Sequence, residues 1–187
     1  EVLRVANEVR DMLTQIMPAF INNEAQVASN ILKADSLTDF LRREIFSYLS
    51  KLAGERITAE QSDSTIKLLH VTSELKNIGD VIEKNLVTLL EKKAENNIKF
   101  SEEGRAELVE YHHRVLENYD TVIRAFTEDD KILARSALAS RSELIELEYA
   151  YRRSHYNRLS HNVELSINSS NIHLDLINYL RRINSYN

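Results

Sequence analysis

The chain has 187 residues, enough for one sizeable core, and its three glycines, one proline and 28% charged residues describe long helices joined by few turns. A net charge of −5 argues against a nucleic-acid partner gripped through its phosphates, and the lack of cysteine excludes disulfides and thiolate metal sites. No apolar run approaches the roughly 20 residues that span a bilayer, and no signal peptide is visible.

In chain order, Val2, Val5, Val9, Leu13, Ile16 and Phe20 recur at spacings of three and four and predict a first amphipathic helix over 1–22, with Pro18 in its last turn. Asn23 with Gln26 has the spacing of a capping box and opens a second helix over about 24–53, whose stripe is Val27, Ile31, Ala34, Leu41, Ile45, Tyr48 and Leu52. Ala53-Gly54-Glu55 ends it, with Gly54 suited to a left-handed cap. Thr58 with Gln61 caps a third helix over about 59–96, carrying Ile66, Leu69, Leu75, Ile78, Ile82, Leu86 and Leu89. Gly79 inside it costs about 1 kcal/mol of helix propensity against Ala, which points to close packing or a site there.

Asn96 to Phe100 reads as a linker, and Ser101 caps a fourth helix over about 102–126 with Leu108, Val115, Tyr119, Val122 and Phe126 inward. Thr127 with Asp130 restarts the chain as a fifth helix over about 128–161. A sixth, over about 165–187, is apolar on more than one face through Ile172, Leu174, Leu176, Ile177, Leu180 and Ile183. The second half repeats the first at a shift of about 105 positions: Ala19-Phe20 falls on Ala125-Phe126, Ala28 on Ala134, Leu32 on Leu138, and Leu75-x-x-Ile78 on Leu180-x-x-Ile183. The fold class is therefore all-α, six long helices in two tandem three-helix-bundle repeats, 1–97 and 98–187.

Enzyme signatures are missing: no phosphate-cradling glycine loop, no HExxH and no GxSxG. A non-enzymatic domain is expected. Asp35 and Asp39, one turn apart, and Asp80 beside Gly79 could meet across a helical hairpin as hard-oxygen ligands for a divalent metal or iron. From spacing alone an ordinary solvated face is the favoured reading, with Lys76 pairing Asp80. A basic and aromatic cluster, Tyr149, Tyr151, Arg152, Arg153, His155, Tyr156, Arg158 and His161 with Arg181 and Arg182, could dock an anion or a partner, or cover the groove between two helices. The adjacent His112 and His113 face different sides of one helix, and His70, His155 and His173 read as packed or surface residues.

Several motifs carry a family resemblance: Asp35-x-x-x-Asp39, Ile78-Gly79-Asp80 with Asn85, His155-x-x-Arg158-Leu159, and Ser169-Ser170-Asn171-Ile172-His173-Leu174-Asp175-Leu176 running into Leu180-Arg181-Arg182-Ile183-Asn184-Ser185. With these the chain resembles the PhoU-type phosphate-regulatory domain, and more narrowly the copy that follows the membrane part of bacterial sodium–phosphate cotransporters. The resemblance implies two three-helix repeats, a role in phosphate homeostasis, and metal clusters on paired acid-x-x-x-acid motifs. Carried over, the metal residues are Asp35, Asp39 and Asp80; the acid expected four residues earlier is Lys76, and the second repeat has Arg141, Ile145, Arg181 and Ser185 instead. Docking falls to Arg152, His155, Arg158, His173, Arg181 and Arg182. The expected partners are a transmembrane cotransporter domain of the same polypeptide, attached ahead of the cut-looking N-terminus, and a second copy of the chain. The expected location is the cytoplasmic face of the plasma membrane. Two alternatives stand beside this: a free-standing PhoU-type phosphate-signalling adaptor, and a metal-binding protein using the first-repeat acids.

Overall fold

The computed structural model describes residues 1–54, 57–161 and 163–187. The elements, in order, are α1 (Val2–Asn22), α2 (Val27–Ala53), α3 (Ala59–Asp80), a π-helical stretch (Val81–Val87), α4 (Thr88–Glu95), α5 (Glu102–Glu128), α6 (Lys131–Ser160) and α7 (Glu164–Tyr186). The third rod expected from sequence is thus α3, the π segment and α4 run together. Among the described residues there is no strand.

Local chemistry accounts for most of the ends. Thr58 and Gln61 form the reciprocal capping box, and Ser101 accepts from the Gly104 amide. Asp130 accepts from the amides of Ile132 and Leu133 to start α6, while Asp129 stops α5 in a left-handed conformation. Three caps differ from expectation, the first being Thr127, which lies inside the last turn of α5 and leaves the N-cap of α6 to Asp130. Asn23 does not open α2; at φ 58° it closes α1, its amide donating to the Ala19 carbonyl, and α2 begins at Val27 without a side-chain cap. Gly54 keeps a right-handed φ of −79°, because its amide closes onto the Leu52 and Lys51 carbonyls instead of turning away. Glu55 lies outside the described residues.

α1 packs on α2, α3 and α5; α5 packs on α6 and α7; and α7 reaches back to α3, the π segment and α4. The two three-helix units therefore share one core, from Val5, Val9, Leu13 and Phe20 through Ile78, Ile82 and Leu86 to Leu108, Val115, Leu176 and Leu180. Burying a side chain of this size contributes about 1.5–3 kcal/mol, which is where a chain with so few turns finds its stability. Polar latches set how the units meet: Tyr119 Oη donates to the Ala6 carbonyl at 2.7 Å, and Arg10 grips Asp120 with two bonds of 2.7 and 2.8 Å. Tyr48 and Ile66, expected inward, are exposed at 67% and 62%. Ile66 sits about 180° around the helix from Leu75, so the α3 stripe mixes two faces.

Candidate functional site

In the first unit, the last turn of α3 lies against the middle of α2. Gly79 permits the approach: a Cβ there would stand 3.3 Å from Asp35 Oδ1 and 3.8 Å from Val9 Cγ2. This brings Asp35, Asp39 and Asp80 together as a cage. Lys76, one turn before Asp80, fills it: Nζ lies 2.9 Å from an oxygen of each of the three carboxylates and 3.1 Å from the second Asp35 oxygen. Its side chain is only 12% exposed. Lys84 touches Asp80 from outside at 3.1 Å, and Glu83 completes a group in which oxygens of Asp35, Asp80 and Glu83 lie within 4.8 Å of one another. The π segment begins immediately after Asp80 and positions Glu83 and Lys84, a common place for such a distortion.

The charges follow from this geometry. Burial disfavours the Lys76 ammonium, but the adjoining carboxylates of Asp39, Asp80 and Asp35 outweigh it and raise its pKa above the ordinary lysine value. Burial likewise works against the Asp80 carboxylate, yet Lys76 and Lys84 together hold its pKa below the usual value. Glu83 is pushed up, first by burial and then by Asp35. A metal is the cofactor that the resemblance implies, and the donor set with Lys76 in place does not fit one. An ammonium has no lone pair to offer, it occupies the point where the carboxylates converge, and the 2.9 Å spacing matches N–H···O contacts, longer than the roughly 2.0–2.6 Å of metal–oxygen bonds.

The second unit uses its corresponding positions differently. Arg181 Nε lies 3.2 Å from Glu148, and Arg152 binds the same carboxylate at 2.7 Å and also reaches Asn178. At the far end, Arg158 holds Glu107 with two bonds of 2.8 and 2.7 Å. Beside them His155 and His173 stack with ring centres 4.4 Å apart, both buried. His155 Nε2 meets Ser170 Oγ at 2.9 Å. Burial first, then His155 and Arg158, pushes the His173 pKa down to about 3. Burial and Arg158 lower that of His155 as well. Both rings are neutral at pH 7. Of the residues considered for docking, His155, Arg158 and His173 are therefore interior, Arg152 is partly covered, and Arg181 and Arg182 offer exposed head groups.

Sequence reasoning missed three partners. Glu148, four residues before Arg152, was within reach of a helical-spacing argument. Glu107 is 51 residues from Arg158 and had no local signal. Lys93 is buried, binds Asn23 Oδ1 and lies 5.0 Å over the Phe100 ring, and desolvation lowers its pKa. Of the other histidines, His112 donates to the Leu13 carbonyl at 2.7 Å, while His113 and His70 are exposed. A groove of about 660 Å³ is lined by Leu3, Ile45, Tyr48, Leu49, Leu68 and Phe126, with the acids Glu1 and Glu44 beside them and no cation among the described lining residues.

Two three-helix units joined on one core make a PhoU-like fold, and residues 2–86 match the family described as the PhoU domain. Over 99% of its length the chain superposes on the crystal structure of PhoU from Pseudomonas aeruginosa, covering 87% of that chain, with TM-score 0.88 and 17% sequence identity, a likeness of fold. It is 25% identical over 185 residues to the putative inorganic phosphate export protein YjbB of Salmonella typhimurium, covering 99% of this chain and 34% of that protein. It is 27% identical over 142 residues to the phosphate-specific transport system accessory protein PhoU of Serratia marcescens, covering 71% of this chain and 58% of that one. The chain thus spans about a third of the length of the export proteins it matches.

Two expectations are corrected here. Among the described residues no helix is long and apolar enough to cross a membrane. The solved PhoU is a chain of which this fold makes up 87%, so the fold requires no fused transmembrane domain beside it. A cotransporter domain of the same polypeptide as partner, and a location fixed by a membrane tether, are accordingly withdrawn.

Proposed function

We propose that this protein is a PhoU-type adaptor in phosphate transport and homeostasis, acting by docking to protein partners and not by catalysis. The observation that carries the reading is the alignment over nearly the whole chain with a protein named for phosphate export, together with the family match and a relative named as a transport accessory protein. The lack of an enzyme signature and the internal neutralisation of the buried cations agree with it.

The face best suited to docking is the outer side of α6. Leu138, Ile145, Tyr149 and Tyr156 are all exposed, Tyr149 at 69%, and on a straight helix they fall within about 40° of one another over about 27 Å. Their spacing of seven, four and seven residues is that of a coiled-coil seam. Arg135, Arg141 and Arg153 flank it at about 60° on α6 and Arg181 adjoins the helix from α7, basic groups in a chain of net charge −5. The occupant this chemistry selects is a partner helix with an apolar seam and acidic flanks. Ile145 and Arg181 stand where the first unit has Asp39 and Lys76, so equivalent surfaces serve a cage in one half and an open seam in the other.

The test is phosphate accumulation in cells with and without this protein, in replete and limiting phosphate. Expected is a change in uptake, export or their response to phosphate supply; identical accumulation in both conditions refutes the reading.

A further inference from the structure

The cage at the α2–α3 crossing has the anatomy of a cation site, and it already holds a cation. Three carboxylates from two helices converge on a single point within hydrogen-bond reach, and the occupant is an ammonium from the same chain. Asp80 Oδ1 is closed off from solvent and makes no well-aligned hydrogen bond, although Lys76 and Lys84 lie 2.9 and 3.1 Å away. Its needs are met by charge more than by directed bonding, which a spherical ion would satisfy equally. Asp35 is buried where α3 comes close at Gly79, while Asp39 and Asp80 sit at the rim with side chains 41% and 32% exposed. Lys84 is 62% exposed and touches only Asp80, from outside the cage.

We propose that Lys76 is a tethered cation standing in the place of a divalent metal, so that the native cage is closed to metal and becomes a metal site when the ammonium is removed. Asp35, Asp39 and Asp80, with Glu83 alongside, would supply only oxygen donors, which selects a hard ion such as Mn²⁺ or Mg²⁺. A lysine at this position makes the crossing of α2 and α3 independent of metal supply, since the counter-charge arrives with the chain as it folds. The inference is separate from the phosphate reading and survives its failure.

The test compares native protein with Lys76→Ala and Lys76→Met, each stripped with chelator and then exposed to Mn²⁺, by equilibrium dialysis with metal analysis and by thermal melting. Native protein is expected to retain no Mn²⁺ and to melt at the same temperature with and without it. Lys76→Ala removes both charge and stem; it is expected to melt lower when metal-free, to take up about one Mn²⁺ per chain, and to recover about 5–10 °C at roughly hundredfold excess over its Kd. Lys76→Met removes the charge but keeps the stem in the cage, so it is expected to lose the same stability and to gain no rescue. Adding Asp39→Asn to Lys76→Ala is expected to weaken Mn²⁺ uptake at least about tenfold. Uptake of one Mn²⁺ by the native protein overturns the proposal. So do absence of uptake by Lys76→Ala, equal rescue of Lys76→Met, and failure of Lys76→Ala to fold even with Mn²⁺ present.

Discussion

The Arg158–Glu107 pair offers the sharpest quantitative test of how the second unit is held. Arg158 is 6% exposed and Glu107 14% by side chain, and they share a two-bond, planar contact. Removing Glu107 leaves a buried guanidinium with Ser154 Oγ at 2.9 Å as its nearest remaining acceptor and Glu103, 77% exposed, at 3.9 Å. Breaking a buried pair from one side costs about 3–5 kcal/mol. Because Glu103 can swing inward and recover part of the charge interaction, Glu107→Ala is placed near the lower end, about 3 kcal/mol. For a domain of this size that is a fall of about 6–12 °C in Tm. Replacing both partners by apolar groups removes the desolvation cost along with the attraction, so Glu107→Leu with Arg158→Met should lie much closer to the native protein than the sum of the single changes. A coupling of about 2–3 kcal/mol is expected from the double-mutant cycle. The assay is urea unfolding followed by circular dichroism, with slopes compared between variants. A cost below about 1 kcal/mol for Glu107→Ala, or additive single changes, would show that Arg158 is effectively solvated and that the reasoning fails.

Acid should weaken the fold through the histidine stack. The pKa of His173 is held at about 3, below its unfolded value, so its contribution to stability is present above the unfolded pKa and is lost as pH falls from about 6.5 towards 3, at no more than about 1.4 kcal/mol per pH unit. His155 and His112 are shifted in the same direction and add to the slope. Denaturant midpoints measured between pH 7 and 4 should fall, and His173→Phe should flatten the fall; an unchanged slope contradicts the burial argument. On the α6 seam, Ile145→Ser with Tyr149→Ser should leave stability within about 0.5 kcal/mol while weakening a helical peptide with leucine seam and glutamate flanks at least about tenfold. A lysine-flanked peptide binding as well, or seam-dependent self-association in sedimentation, would point to a different occupant. Tyr119→Phe, which deletes the bond to the Ala6 carbonyl between the two units, should cost about 1 kcal/mol in equilibrium unfolding. No measurable loss would mean that this latch contributes orientation without net stability.

Much of this molecule is local information. The three- and four-residue spacing of Val5, Val9, Leu13, Ile16 and Phe20 places a helix and its inward face, and all five are fully buried. Thr58 with Gln61 and Ser101 announce helix starts, because a side chain at that offset satisfies an otherwise unpaired amide. The repeat at about 105 positions is likewise legible without coordinates. Asn23 was misread because asparagine suits both an N-cap and a left-handed stop, and the choice depends on the α1 carbonyls it closes. The α6 seam was hidden among the basic residues singled out beside it: spacing alone does not say which of two apolar stripes on one helix finds a neighbour.

For the candidate site, the sequence by itself determined the three acids, the glycine beside them and the lysine one turn back, since all of these follow from residue type and the pitch of a helix. Only the tertiary structure decided that Lys76 points into the middle of the cage and not out to solvent, that His155 and His173 stack in the interior, and that Arg158 finds Glu107. The reason is physical. Helical phase is set within a few residues by backbone geometry. Which side chain fills a crossing is set by how two distant helices approach, here by a missing Cβ at Gly79 and a shared core that fixes the distance across it.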